Sequence, residues 1–364
     1  MPPVAQPPGT PLVARPTWHA HGHVARALVA QRPRHLVACC LAPLPLLGGP
    51  NGDNPSSARP APALSAMTSD PALHSDAPWT PLALAQLPAL PPLRLAVVGH
   101  VEVVSFVTVE RLPEAGCISH ASDFFEHPAG GGAVVAVQMA RLTGQRVPFF
   151  TALGRDRCGQ EAAERLEALG LELHVAWRDA PTRRGITFVE ASGERTITVI
   201  GERHAPRAAD PLPWQSLAAM DGVFATAADA TALVQARAAR VLAVTPRLSL
   251  AVLRQAALPL DALIGSALDP DERVRPGELD PEPALVIGTE GARGGRSSPG
   301  GRFSAPIRHQ QVVDTYGAGD SFAAGVTTAL AAGWTTQQAI SLGCHCGAAC
   351  LDGPGPYAGQ LRLA

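Results

Sequence analysis

Cysteine is scarce in this chain, and long apolar runs are absent. Seven cysteines are spread over 364 residues. They are too few for a disulfide scaffold and odd in number, which fits a reduced, cytoplasmic protein. No stretch of about 18 apolar residues runs without proline or charge, so the sequence predicts no transmembrane helix and no membrane partner. Neither sign of charge is in excess. The 29 Lys+Arg against 31 Asp+Glu leave a net charge of −2, which gives no reason to expect a nucleic-acid partner. Acid is missing from the start of the chain, where no Asp or Glu precedes Asp53. What is plentiful is apolar residues, at 46%, enough for a sizeable core in one large domain or two smaller ones.

Residues 1–92 hold much of the proline and almost no periodicity. Segments such as PPVAQPPGTP and SSARPAPALSA form neither helix interiors nor central strands, so a disordered Pro/Ala-rich extension is predicted here. Arg32-Pro33-Arg34-His35 ahead of LVACCLAPLPLLGG loosely resembles a leader. Its prolines and its distance from Met1 argue against export, and Met67 is an alternative start. The alternating His19, His21 and His23 read as an incidental run.

From Leu93 the pattern changes. LRLAVVGHV and VVSFVTV read as strands, and so do residues 117–127. Gly130-Gly131-Gly132 leads into the helical AVVAVQMARL. VPFFTAL is a strand, and GQEAAERLEALG is a helix closed by Gly170. GITFVE and RTITVI flank Ala191–Glu194 as a hairpin. GVFAT, VLAVT, ALIGS and ALVIG are further strands separated by helical segments, with helices at 319–332 and 336–350. Strand–helix alternation predicts an α/β protein with a parallel sheet covered by helices on both faces. The early strands and the hairpin predict a small β lid over about 101–127 and 185–200, within a domain covering 93–364. Cys344-His345-Cys346 and Cys350 suggest a metal site at first sight. Residues two apart on a helix diverge, so these read as small core residues.

The stretch Asp314-Thr315-Tyr316-Gly317-Ala318-Gly319-Asp320-Ser321-Phe322 carries the chemistry. A Gly-Ala-Gly turn lets backbone N–H groups converge, because glycine tolerates φ > 0 and brings no side chain. A helix starting at the turn adds free amides and the positive end of its dipole. The result is an anion hole with a carboxylate, Asp320, at its rim. In the plain reading Asp320 is only a first-turn acid. In the functional one it orients and deprotonates a hydroxyl, while the amides stabilise a moving phosphoryl group.

DTYGAGDSF resembles the Asp-Thr-x-Gly-Ala-Gly-Asp-x-Phe signature of the ribokinase-like (PfkB) carbohydrate kinases. Gly99, the glycines 130–132 ahead of Ala140-Arg141-Leu142, and Leu153-Gly154-x-Asp156 with Gly159 resemble the family's N-terminal signature in order and spacing. The resemblance implies a ribokinase-like three-layer α/β/α sandwich with a β-sheet lid, and ATP- and Mg2+-dependent transfer to a sugar or nucleoside hydroxyl. It implies Asp320 as general base, with Gly317, Ala318 and Gly319 as the anion hole. Asp314 and Thr315 would adjoin a monovalent-cation site, for K+ for instance. Gly130, Gly131 and Gly132 would face the substrate, and Thr289 and Gly291 the nucleotide. Ser266-x-x-Asp269 stands where many members carry Asn-x-x-Glu for Mg2+ and phosphate, with Glu272 as a further carboxylate. The resemblance also implies a homodimer formed through the lid strands.

The chain departs from the pattern where the substrate is chosen. Val104 stands where sugar-specific members carry Asp, with Glu102 the nearest acid, and Val134 stands where many carry Asn. A site built for ribose hydroxyls does not simply lose those partners. Three readings follow: a kinase for a sugar or sugar-like molecule, a nucleoside kinase of the same fold, and a non-catalytic ligand-binding protein on this scaffold.

Overall fold

The computed structural model describes residues 77–363. The readings of the earlier extension (the leader-like stretch, the histidine run, Cys39, Cys40 and Met67) lie outside the described residues. In chain order the first elements are β1 (Leu95–Val98), β2 (Glu102–Thr108), β3 (Asp123–Ala129), α1 (Gly131–Thr143), β4 (Val147–Gly154), α2 (Arg157–Ala168) and β5 (Leu171–Arg178). There follow β6 (Arg184–Val189), β7 (Arg195–Ile200), β8 (Gly222–Ala225), α3 (Ala230–Ala236), β9 (Val241–Val244), α4 (Leu250–Ala256) and β10 (Ala262–Ser266). The last are β11 (Val286–Thr289), β12 (Gly295–Ser298), β13 (Gly301–Phe303), α5 (Ala318–Ala331) and α6 (Thr336–Cys350).

Nine strands form one sheet in the order β13-β12-β11-β10-β9-β8-β1-β4-β5. The seven from β11 to β5 are parallel. Their sequences explain this. LAVV of β1 and VLAV of β9 are apolar at every position and buried at every position, as parallel strands covered on both faces must be. One face carries α1, α5 and α6, whose apolar residues share a core with Val97, Phe149 and Phe224. The other packs Leu233, Leu248 and Leu253 against Val98, Phe150 and Leu242. The helices begin where the sequence offers caps. Asp156 accepts a hydrogen bond from Gly159 N at 2.8 Å, and Thr335 with Gln338 closes a capping box on α6. Helices α5 and α6 approach closely because Gly325 lies against Gly343. A Cβ added at Gly325 would stand 2.9 Å from both the Cys346 Sγ and the Gly343 Cα. Cys346 is a buried free thiol in this contact, Cys344 and Cys350 are buried free thiols on the same helix, and no group of three or more His, Cys, Asp or Glu that could hold a metal ion occurs among the described residues.

Strands β3-β2-β6-β7 form a separate four-stranded sheet, with β2 and β6 parallel and the outer pairs antiparallel. Strand β7 is exposed along its whole length.

Three local expectations need correcting. The strand expected over 117–127 begins only at Asp123, after an exposed turn-rich segment. The apolar Ile118 that suggested an earlier start is 91% exposed. A hairpin of β12 and β13 extends the parallel sheet antiparallel, and its sequence GRSSPGGRF has no apolar alternation to announce it. Residues 79–92, grouped by composition with the extension, pack on the body. Trp79 bridges to Phe303 and donates to Gly300 O at 3.0 Å, and Leu82 N donates to Ser341 Oγ at 3.0 Å.

Candidate active site

Strand β1 is the point where the order turns: β4 and β5 lie on one side of it and β8 to β11 on the other. The crevice beyond the carboxyl ends of β1 and β8 is where open α/β sheets bind ligands. The chain places Gly99 and His100 at the end of β1 and Thr226 at the end of β8. Thr226 Oγ1 lies 3.3 Å from His100 Nδ1. A Cβ on Gly99 would meet Thr226 Oγ1 at 2.3 Å and the Gly132 Cα at 2.8 Å, so the β1 turn and the α1 start touch backbone to backbone. Gly130 enters α1 at φ 87°, pressed against the His100 ring.

The expected base sits at this junction. A Cβ on Gly131 would stand 2.9 Å from Asp320 Oδ1, so α1 and α5 meet at the carboxylate. Gly317 takes φ 80° as the N-cap of α5, supported from below by Val134 Cγ1 and Pro356. Val134 thus has a packing role where the resemblance suggested an amide. Ser321 N is the first amide of the helix to reach an intrahelical acceptor, Gly317 O at 2.8 Å, which leaves the preceding amides without one. Ala318 N makes only a long bond to Thr315 O, 3.5 Å. Gly319 is exposed, and a Cβ there would meet nothing within 4 Å. The turn therefore faces open space on the side an anion would approach. Burial pushes the Asp320 carboxyl up to about 6, with Arg247 and Arg195 opposing the rise and Glu272 and Glu102 adding to it.

Arg247, at the end of β9, joins Asp320 to the expected metal ligands. Its Nη2 lies 2.8 Å from Asp269 Oδ2, and its Nε contacts Glu272. Glu272 Oε2 also accepts from Ser266 N at 2.8 Å. Ser266 Oγ accepts from Asp269 N at 3.3 Å, which makes Ser266 a turn-closing residue. Thr289 ends the neighbouring β11, its Oγ1 donating to Gly265 O at 3.3 Å, and Gly291 follows at φ 60°. Asp269, Glu272, Thr289 and Gly291 thus share the ends of β10 and β11.

Two predicted site acids are engaged by the protein. Asp314 is 2% exposed, and its two oxygens accept from Tyr316 N at 2.8 Å and Gly355 N at 2.9 Å. Burial raises its pKa against these bonds. The side chain clasps the turn to the C-terminal segment. Glu102, also buried, lies 2.9 Å from Arg183 Nε and accepts from the Tyr316 hydroxyl at 3.3 Å. Val104 is fully buried, packed where Gly185 leaves room in β6.

Sequence reasoning overlooked the arginines. Arg183, Arg203 and Arg247 all bear on His100, and together with burial they hold that imidazole neutral, its pKa well below the usual value. Isolated arginines far apart in sequence carry no motif. The Thr245-Pro246-Arg247 turn directly after an apolar strand was the only available signal.

A family model described as pfkB family carbohydrate kinase matches residues 93–267 and 260–361. No curated protein matches the sequence. Among solved structures, the chain is similar to a ribokinase from Thermotoga maritima (20% identity, TM-score 0.60, 74% of this chain and 96% of that one). It is similar to an Arabidopsis thaliana ribokinase complexed with ribose and ATP (20%, 0.59, 75% and 96%). It is also similar to a nucleoside kinase from Methanocaldococcus jannaschii (15%, 0.56, 76% and 96%).

Proposed function

Since the chain belongs to the pfkB family of carbohydrate kinases and is therefore a phosphotransferase with an alcohol acceptor, we propose that it moves the γ-phosphoryl group of ATP to a hydroxyl of a sugar or sugar-like small molecule, with Asp320 as general base. The observation that carries this reading is the Asp320 carboxylate at the amino end of α5, against Gly131 and beside the open face of Gly319. A base raised to about 6 is ionised at neutral pH yet close enough to the working range to accept a proton. The acceptor hydroxyl is held at Asp320, with Gly130, Gly131 and Gly132 letting it approach the backbone. Asp320 orients the hydroxyl and takes its proton as the oxygen attacks phosphorus. The amides of Gly317, Ala318 and Gly319 stabilise the charge on the transferred group. Thr289 and Gly291 line the nucleotide side.

The residues fit a Mg2+ ion bound with the nucleotide. Mg2+ takes one or two carboxylates and fills its shell with water and phosphate oxygens, and Asp269 with Glu272 supplies such a pair beside Arg247. Mg2+ held there would neutralise phosphate charge. Asp314 accepts one backbone amide at each oxygen and keeps a further lone pair on each, so it could still hold a monovalent cation beside the turn. Glu102 acts on the acceptor through its hold on Arg183 and Tyr316.

ADP release measured over a panel of sugars and nucleosides, with Asp320→Asn as control, tests the reading. Turnover of nucleosides alone would replace it with a nucleoside kinase. ATP binding without ADP release from any acceptor would leave a ligand-binding protein.

A further inference from the structure

Tyr316 fills the unspecified third place of the Asp-Thr-x-Gly-Ala-Gly-Asp stretch. Its backbone belongs to the α5 turn, where its N–H donates to Asp314 Oδ1 at 2.8 Å. Its side chain leaves the turn and crosses to the small sheet. There the ring meets Phe106 of β2 edge-on, with centroids 5.0 Å apart, and the Arg195 guanidinium of β7 lies 5.8 Å from the ring centre. The hydroxyl continues to the Gly130 side of the cleft. It accepts from Gly130 N at 3.4 Å and donates to Glu102 Oε1 at 3.3 Å. Glu102 in turn holds Arg183, 2.9 Å from its other oxygen. Burial keeps the phenol pKa well above its ordinary value, helped by the negative charges of Glu102 and Asp320, so the proton stays on the hydroxyl.

Two turns must keep register for the transfer. The α5 turn carries Asp320 and the amides assigned above to the moving phosphoryl group. The Gly130 turn, with the start of β2 against it, is where the acceptor is assigned. The two turns touch where Gly131 meets Asp320 Oδ1 and where Val134 lies under Gly317. These are contacts of shape, which fix distance better than direction. A hydrogen bond weakens steeply as it bends and so constrains both. Thr315 spends its bonds on the far edge of the small sheet, at Arg195 Nη1 and Gly193 O. Among the described residues of the turn, Tyr316 alone bonds to Gly130 and to β2. A ring by itself would serve for packing on Phe106, so the hydroxyl and its two bonds call for another role.

We propose that the Tyr316 hydroxyl is a positioning group for the acceptor: it holds the Gly130 turn and Glu102 of β2 in register with the turn that carries Asp320. It acts through those two groups and touches no substrate itself. Its loss loosens the acceptor and leaves the nucleotide side, at the ends of β10 and β11, in place. This rests on the kinase reading above.

The test measures ADP release with whichever member of a sugar and nucleoside panel, D-ribose, D-fructose and adenosine among them, is turned over fastest. Tyr316→Phe keeps the ring and removes the hydroxyl. Its kcat/KM for that acceptor is expected to fall about tenfold, as for one lost hydrogen bond, while the KM for ATP stays within about twofold. Glu102→Gln keeps an acceptor for the hydroxyl and loses the charge that grips Arg183. It shows the same split, and it stands in for Tyr316→Phe should that variant fail to fold. The double variant is expected to lose less than the product of the two single losses, since the hydroxyl acts partly through Glu102. Unchanged acceptor kinetics in Tyr316→Phe, with or without a lower melting temperature, would reduce the tyrosine to a packing residue and overturn the inference. A KM for ATP that rises as much as the acceptor's would overturn it too, and so would losses that multiply in full in the double variant. Each of these results leaves the kinase reading intact. ADP release from no member of the panel would remove the kinase reading itself, and this inference with it.

Discussion

Replacing Asp320 with Asn should inactivate the protein and stabilise it at the same time. Loss of a general base lowers kcat by about 10²- to 10⁴-fold, equivalent to roughly 3–5 kcal/mol of transition-state stabilisation. The structure adds a pH signature. With the carboxyl at about 6, kcat/KM of the parent protein climbs about tenfold per pH unit below that value and levels above it. The variant lacks this limb. Stability moves the opposite way. The folded pKa is raised from 3.8 to about 6, so the folded state binds this proton more tightly than the unfolded chain does. Stability is therefore greatest below 3.8, falls across the window up to about 6, and stays reduced above it. A shift of about two units corresponds to roughly 3 kcal/mol at most, and Asn removes that penalty while also taking a partner from Arg247. At pH 8 the variant should melt higher than the parent. Initial rates over pH 5–9, with thermal melts of both proteins, check both halves. Wild-type-like turnover in the variant, or an acid limb near 6 that survives the substitution, would refute the assignment of the base. A variant that melts lower at pH 8 would refute the claim that the carboxylate is held at a cost.

Other substitutions probe the same junction. Gly131→Ala places a methyl group 2.9 Å from Asp320 Oδ1 and should cut kcat/KM by about tenfold or more through misplacement of the base. Its melting temperature should stay near the parent's, since Gly131 is the first residue of α1 and the methyl group meets only the end of a side chain and the Thr226 methyl; unchanged kinetics would show that the carboxylate has room to move. Asp314→Asn leaves one buried backbone amide without its acceptor and should cost about 1–3 kcal/mol in urea unfolding. Glu272→Gln should weaken the apparent Mg2+ affinity by about tenfold, as for a lost ligand interaction, and a titration of ADP release against Mg2+ showing no shift would remove Glu272 from the metal site. Trp79→Ala removes the bridge to Phe303 and the bond to Gly300 and should lower stability by about 2 kcal/mol, a drop absent if residues 79–92 contribute nothing to the folded body.

The alternation of apolar strands and helices from Leu93 onward was enough to predict the parallel sheet. Continuous apolar runs such as LAVV and VLAV are buried on both faces and so belong in one. The hairpin of β12 and β13 escaped notice because Gly295–Phe303 owes its pairing to a neighbouring strand rather than to its own pattern. Trp79 likewise lies in proline-rich sequence, and its place follows from Phe303, 224 positions later.

DTYGAGDSF by itself determined the turn, the helix start and the acid in its first turn, because glycine conformation and free helix amides are local properties. Only the tertiary structure decided which acids remain available. Asp314 is held by Tyr316 N two positions on and by Gly355 N 41 positions on, and Glu102 by Arg183 and by Tyr316 214 positions away, whereas Asp320 meets Gly131 of α1 at the turn of the sheet. Local geometry is encoded by neighbours in the chain. The charge balance of a cleft is set by whichever side chains folding brings together, and here it gathers Arg183, Arg203 and Arg247 with Glu102 and Glu272 from five separate stretches of the chain.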